Sequence, residues 1–185
     1  MIQISIAIEE DLDRVLEIKR EAISPTWTHG TLLNELYRED SFFAVARCKL
    51  QITNYKSQMG DEGADSECGI RNAESLAGCE NICGFVILRR MGDDGELMQI
   101  AVDKAARRHG VADVLMESAL FYASMNFLKS VFLDVRMSNV AAIELYKKHG
   151  FLPVRTRKDY YNDPIEDGTV MVREATKQHG KDIGI

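Results

Sequence analysis

The chain has 185 residues, 45% hydrophobic and 28% charged, which suits one globular domain and excludes a disordered or fibrous chain. Its net charge of −6 argues against general nucleic-acid binding and against anionic membranes. The apolar run Cys83 to Leu88 is far short of a membrane span; no Lys or Arg precedes Arg14, so no secretory signal is expected and a cytoplasmic location follows.

Ile2-Gln3-Ile4-Ser5-Ile6-Ala7-Ile8 alternates with period two and predicts a strand. Glu9, Glu10 and Asp11 supply the negative charge favoured at a helix N-terminus, and Leu12, Val15, Leu16 and Ile18 continue with helical spacing to about Ile23. Ser24-Pro25 ends that helix, because a proline disfavours the α region for the residue before it. A second short helix is predicted from about Thr31 to Arg38, then strands over Ser41 to Leu50 and Asn81 to Arg90. Residues 51–80 hold four glycines, six acids and few large apolar side chains, and are expected to form a long, acidic, partly disordered loop.

Gly92-Asp93-Asp94-Gly95 has turn chemistry. Beyond it strands and helices alternate: a strand over Glu96 to Val102, a helix from Gly110 to about Lys129, and a strand over Val131 to Arg136. A helix over Asn139 to His149, a strand over Phe151 to Lys158 and a short strand over Thr169 to Arg173 complete the pattern. It predicts an α/β fold with a parallel βαβ unit between residues 96 and 136. One domain over residues 1–173 and a polar tail over 174–185 follow. Cys48, Cys68, Cys79 and Cys83 lack the paired C-x-x-C spacing of a zinc site, and free thiols are the simplest reading.

The most informative stretch is Gln99-Ile100-Ala101-Val102-Asp103 followed by Arg107-Arg108-His109-Gly110-Val111-Ala112. A strand ends, a basic turn follows, and a helix opens at a glycine. That arrangement aims backbone N–H groups and the helix dipole at one point, where an anion is favoured. Gly110 lets a phosphate approach without a Cβ in the way, and small Ala112 keeps the turn tight.

Arg-x-x-Gly-x-Ala after Ile-Ala-Val-Asp resembles the pyrophosphate motif of the GNAT superfamily of acetyl-CoA-dependent N-acetyltransferases. The stretch Leu133-Asp134-Val135-Arg136 through Asn139, Tyr146 and His149-Gly150-Phe151 is similar to that family's second block, in the form found in the RimI group and related protein N-terminal acetyltransferases. Together the blocks cover about Gln99 to Met171; the turn Pro25-Thr26-Trp27 adds weaker support. The resemblance implies a GNAT fold: a mixed sheet of about seven strands flanked by about four helices, with a long insertion between the second and third strands.

It also implies site residues. Ile100, Ala101 and Val102 would offer backbone groups to the pantetheine arm of acetyl-CoA; Arg107, Arg108, Gly110, Val111 and Ala112 would hold its pyrophosphate. Asn139 would touch the cofactor, with either it or Ser138 capping the helix. Tyr146 would protonate the leaving thiolate. Asp134 stands where the RimI group has Glu; one methylene shorter, it would act as base through a water, with Glu96 in reserve. Tyr160 and Tyr161, adjacent aromatics on a loop, would clamp the substrate and exclude water.

The implied reaction is direct acetyl transfer in a ternary complex to a primary amine, most readily a protein N-terminal α-amine. An α-amine with pKa about 7.8 needs about 1 kcal/mol to be neutral at pH 7, whereas a lysine at about 10.4 needs about 4.6 kcal/mol. A small-molecule amine or lysine acceptor, and a catalytically silent acetyl-CoA-binding module, are the alternatives. No metal, nucleic acid or membrane is implied, and a monomer or homodimer is expected.

Overall fold

The computed structural model describes residues 1–22, 27–48 and 81–175. Strand β1 (Ile2–Ile6) leads through a single 3-10 turn (Glu9–Asp11) into helix α1 (Leu12–Ala22), followed by α2 (His29–Leu36) and β2 (Ser41–Cys48). Then come β3 (Asn81–Met91), β4 (Asp94–Val102), α3 (Val111–Met125), β5 (Ser130–Arg136), α4 (Val140–Lys148), β6 (Leu152–Asn162) and β7 (Ile165–Glu174). The seven strands form one sheet in the order β1-β2-β3-β4-β5-β7-β6, with β4 and β5 parallel and all other neighbours antiparallel. This is the mixed α/β architecture expected from the sequence. The expected loop over 51–80, the turn at Pro25-Thr26 and nearly all of the tail lie outside the described residues.

The sheet divides two cores. Leu12, Val15 and Ile18 of α1 and Leu32 of α2 pack with Phe43, Val45, Phe85 and Ile87 on one face. Val111, Leu115, Met116 and Ala119 of α3 pack with Val86, Leu88, Leu97, Val131 and Leu133 on the other. Alternation along β5 decides which residues reach which side: Val131, Leu133 and Val135 are buried, while Ser130, Phe132, Asp134 and Arg136 lie between them on the opposite face. Burying each such aliphatic side chain contributes about 1.5–3 kcal/mol, which holds that alternation in register.

Several boundaries differ from the sequence expectation. Helix α3 begins at Val111, with Gly110 as its N-cap, and ends at Met125 because Phe127 adopts a left-handed backbone (φ +54°). The last two strands are longer than periodicity suggested and form a hairpin closed at Asp163-Pro164. Tyr160 and Tyr161 therefore stand on a strand, not on a loop. β6 is the exposed edge of the sheet, so its polar residues carry no alternating burial signal.

The feature that shapes the site is how little β4 and β5 pair. Their register runs only from Asp94↔Ser130 to Glu96↔Phe132, although β4 continues to Val102 and β5 to Arg136. A bulge at Met98, the extra residue between Leu97 opposite Leu88 and Gln99 opposite Ile87 of β3, follows the parting. Bulges bend a strand and increase its local twist, which carries the end of β4 away from β5. The sheet is thus forked, with unpaired backbone along the inner edge of each tine.

Candidate active site

The α3 end of the fork is built from a tight basic turn. Asp103 caps a 3-10 turn (Lys104–Ala106) by accepting from the Ala105 N–H at 2.7 Å, and pairs with Arg14 of α1. Arg108 (φ +66°) and Gly110 (φ +80°) are both left-handed and curl the chain into α3. Gly110 brings no capping side chain, so the first-turn N–H groups of α3 face outward without one. A Cβ at Gly110 would meet nothing within 4 Å, so the space before the helix is open. Arg107 Nε donates to the Val102 carbonyl at 3.2 Å, leaving its terminal nitrogens without a partner among the described residues. Ala112 is half-buried beside Val111, which is in the core. Of the three strand residues expected to offer backbone groups, Ile100 is half-buried, Ala101 is buried, and Val102 already receives Arg107 at its carbonyl.

Across the fork, Asn139 caps α4: its Oδ1 accepts from the Ala142 N–H at 3.2 Å. Ser138 has a different task, donating its N–H to Glu166 Oε1 at 2.6 Å. Tyr146 lies two turns further along α4, only 8% exposed, its ring tilted against Phe151 at 5.9 Å. Burial first, then the neighbouring Tyr161, push the Tyr146 phenol well above its ordinary pKa. It is therefore protonated at neutral pH. Its hydroxyl has no hydrogen-bond partner among the described residues.

Asp134 lies on the α1–α2 face of β5, and Glu96 on β4 is on the same face one strand away. Desolvation raises the Glu96 pKa; Arg89 opposes it, Asp134 adds to it, and Arg157 opposes it. Arg89, opposite Glu96 on β3, is also ion-paired with buried Glu35 of α2. The Nε of Arg157 on β6 lies 3.4 Å from Asp134 Oδ1.

The tyrosine pair sits above this cluster. β6 gains residues between Arg157, opposite Gly168, and Tyr161, opposite Glu166; left-handed Asp159 (φ +50°) bends the strand there. Tyr160 and Tyr161 meet edge to face, with ring centroids 5.0 Å apart. The Arg136 guanidinium covers Tyr161 at 4.2 Å and that of Arg157 covers Tyr160 at 4.8 Å. Gly168 makes room beneath: a Cβ there would lie 3.0 Å from Tyr160 and 3.2 Å from Tyr161. Burial, and then the charge of Asp134, push the Tyr161 phenol up to about 12. Arg136 also donates to the carbonyls of Asp163 and Pro164 and pairs with Glu166, which fastens the hairpin to β5.

The structure thus brings Asp134, Glu96, Tyr160 and Tyr161 together on one side of the fork, with Tyr146 close to Tyr161. Arg157 and Arg136 escaped the sequence reading. Period-two spacing from Asp134 was a signal for Arg136; nothing local pointed to Arg157. Cys48 and Cys83 are buried free thiols, and burial with the Cys48 contact pushes Cys83 up to about 12, so Cys83 is not an available nucleophile. Among the described residues no cluster could hold a metal ion, and no helix is long and apolar enough to cross a membrane.

A forked mixed sheet, with an open helix N-terminus beyond the end of β4 and one carboxylate on each of β4 and β5, suits an acyltransferase of the acetyltransferase (GNAT) family, to which this chain belongs, with residues 31–151 matching the family model. It is 28% identical over 162 residues to the [ribosomal protein bS18]-alanine N-acetyltransferase of Haemophilus ducreyi, covering 88% of this chain and 89% of that one. Against the N-alpha-acetyltransferase of Sulfolobus acidocaldarius it is 27% identical over 170 residues, covering 91% and 90%. The crystal structure of the ribosomal-protein-S18-alanine N-acetyltransferase from Escherichia coli shares the fold over the full length of both chains, with a TM-score of 0.71 and 23% identity. The chain is an N-acetyltransferase of this family.

Proposed function

We propose that this enzyme transfers the acetyl group of acetyl-CoA to the N-terminal α-amine of a protein, by direct attack within a ternary complex. The observation that carries the reading is the fork. β4 and β5 part after Glu96, and an open helix N-terminus, two carboxylates, a buried tyrosine and a tyrosine pair all border the gap. The residues present fit an extended anionic donor, since Gly110 leaves open space before unsatisfied N–H groups and Arg107 and Arg108 bring positive charge. Asn139 borders the same gap from α4.

Acetyl-CoA supplies the activated acyl group; the chain supplies position and proton management. Asp134, through a water, takes a proton from the acceptor's ammonium and so frees the neutral amine that attacks, with Glu96 beside it. Tyr146, kept protonated by burial, donates a proton to the departing thiolate. Tyr160 and Tyr161 seat the acceptor and exclude water. Holding both substrates in one fork supplies much of the barrier reduction, because a bimolecular step becomes effectively unimolecular. The relatives' names, which specify alanine and N-alpha acetylation, support a protein N-terminus as acceptor.

The test is thiol release from acetyl-CoA with short peptides carrying a free N-terminal amine, alongside N-acetylated peptides that offer only a lysine and simple polyamines. Preferential turnover of free α-amines is expected. Turnover confined to polyamines or to lysine would overturn the acceptor assignment, and acetyl-CoA binding without any turnover would make the chain a silent binding module.

A further inference from the structure

Five charged side chains cross the α1–α2 face of the sheet: Glu35, Arg89, Glu96, Asp134 and Arg157. Three acids face two guanidinium groups, and the two adjacent acids, Glu96 and Asp134, flank the fork. Arg89 serves Glu35 and Glu96. Among the described residues Asp134 is paired with Arg157 alone.

That last contact is unusual. The Arg157 Nε and Asp134 Oδ1 lie 3.4 Å apart, yet both atoms are shut off from solvent and neither has a hydrogen-bond partner. Buried charged atoms without aligned hydrogen bonds are costly, and they concentrate where function demands the arrangement. The Asp134 side chain as a whole keeps 15% of its exposure, so its accessible surface lies on the side away from dry Oδ1. Arg157 thus meets the buried oxygen of the carboxylate, and the accessible part of the side chain lies away from it. The guanidinium is itself held from the other side by the Tyr160 ring.

We propose that Arg157 is a positioning residue, which holds the Asp134 carboxylate turned toward the acceptor and ties that orientation to the seating of Tyr160. The inference rests on the reading of Asp134 as the base. Two neighbouring carboxylates without a nearby cation share a proton, and the one that retains it cannot accept another. Arg157 sets a positive charge 3.4 Å from Asp134. An acceptor ammonium arriving between the two acids then completes the charge balance of the row, three against three.

The experiment is a double-mutant cycle in the full-length protein, with acetyl-CoA and a short peptide bearing a free N-terminal alanine. The variants are Arg157→Gln, Arg157→Lys, Asp134→Asn and the Arg157→Gln/Asp134→Asn double variant. Acetyl-CoA affinity, measured by titration calorimetry, reports that each variant is folded. Arg157→Gln should lower kcat/KM at least about tenfold, part of the 10²–10⁴-fold a positioned acid–base group contributes. Its low-pH fall should begin at higher pH, since the groups facing Asp134 would then be Glu96 from β4, Tyr161 from β6 and Arg136 from its own strand, with Arg89 and Glu35 beyond. Arg157→Lys, which restores the charge, should bring the fall back toward the wild-type position. In the Asp134→Asn background the Gln substitution should cost less than about twofold, because residues acting as a unit are non-additive. The same loss in both backgrounds, or a uniform loss at every pH that Lys does not relieve, would overturn the proposal. Full activity in Asp134→Asn would remove the underlying base assignment. An impaired Asp134→Asn beside a wild-type-like Arg157→Gln would remove the positioning role alone.

Discussion

Tyr146 and Phe151 pack ring against ring at 5.9 Å, tilted by 57°, across the end of α4. Phe151 is fully buried, so the contact fixes where the Tyr146 hydroxyl stands relative to the fork. Tyr146→Phe keeps the packing and deletes only the proton donor. The turnover number should fall about 10²–10⁴-fold with little change in either Michaelis constant. A variant within about threefold of wild type would mean that solvent protonates the thiolate.

Gly110 separates charge from strain in the α3 turn. Its left-handed backbone (φ +80°) costs most residues about 1–2 kcal/mol, but Asn tolerates it and a Cβ there meets no obstacle. Gly110→Asn should therefore keep acetyl-CoA affinity within a few-fold, whereas Gly110→Asp should lose at least about tenfold by repelling phosphate from the helix N-terminus. Equal affinities in calorimetry would remove the pyrophosphate assignment.

At Asp134 the length of the side chain is the variable. Asp134→Glu should retain activity if the proton travels through water, since the longer chain spans the same gap. Asp134→Asn should lose most activity, least at high pH, where free amine is already plentiful. A loss equal at every pH would point to Glu96 as the base.

Glu96 carries a stability consequence of opposite sign to its proposed chemistry. Burial raises its folded-state pKa, so the native state holds the proton at pH values where the unfolded chain has released it. Stability from this group is full below the unfolded pKa and declines as pH rises through the folded one. Glu96→Gln removes that penalty, and the variant should melt higher than wild type at pH 7 with the difference vanishing toward pH 4. A lower melting temperature at pH 7 would show that the Arg89 contact outweighs desolvation.

Gly84 sets how closely α3 lies on the sheet. A Cβ there would come 2.8 Å from the Ala101 carbonyl oxygen, 2.9 Å from Leu115 and 3.2 Å from Val111. Gly84→Ala should destabilise by about 1–3 kcal/mol, the usual cost of overpacking, and should weaken acetyl-CoA binding because Val111 begins α3 at the turn proposed to hold the pyrophosphate. Denaturant unfolding and calorimetry on one sample would show whether the two effects travel together.

What the sequence determined by itself is what local chemistry controls. The strand–turn–helix from Gln99 to Ala112 was legible because a glycine at a helix start and a basic turn are consecutive residues, and Tyr146 and Asn139 followed at helical spacing from each other. Alternation along β5 likewise put Asp134 and Arg136 on one face. Tertiary structure decided the rest. Arg157 reaches Asp134 only because β7 inserts between β5 and β6, a pairing between segments far apart in sequence. The same late pairing draws Tyr160 and Tyr161 out of a presumed loop and onto an edge strand, whose solvent exposure on both faces erases the period that would have announced it. The fork itself depends on a single bulge at Met98, a geometry that no run of side chains announces because it is set by how far β3 and β5 each can follow β4.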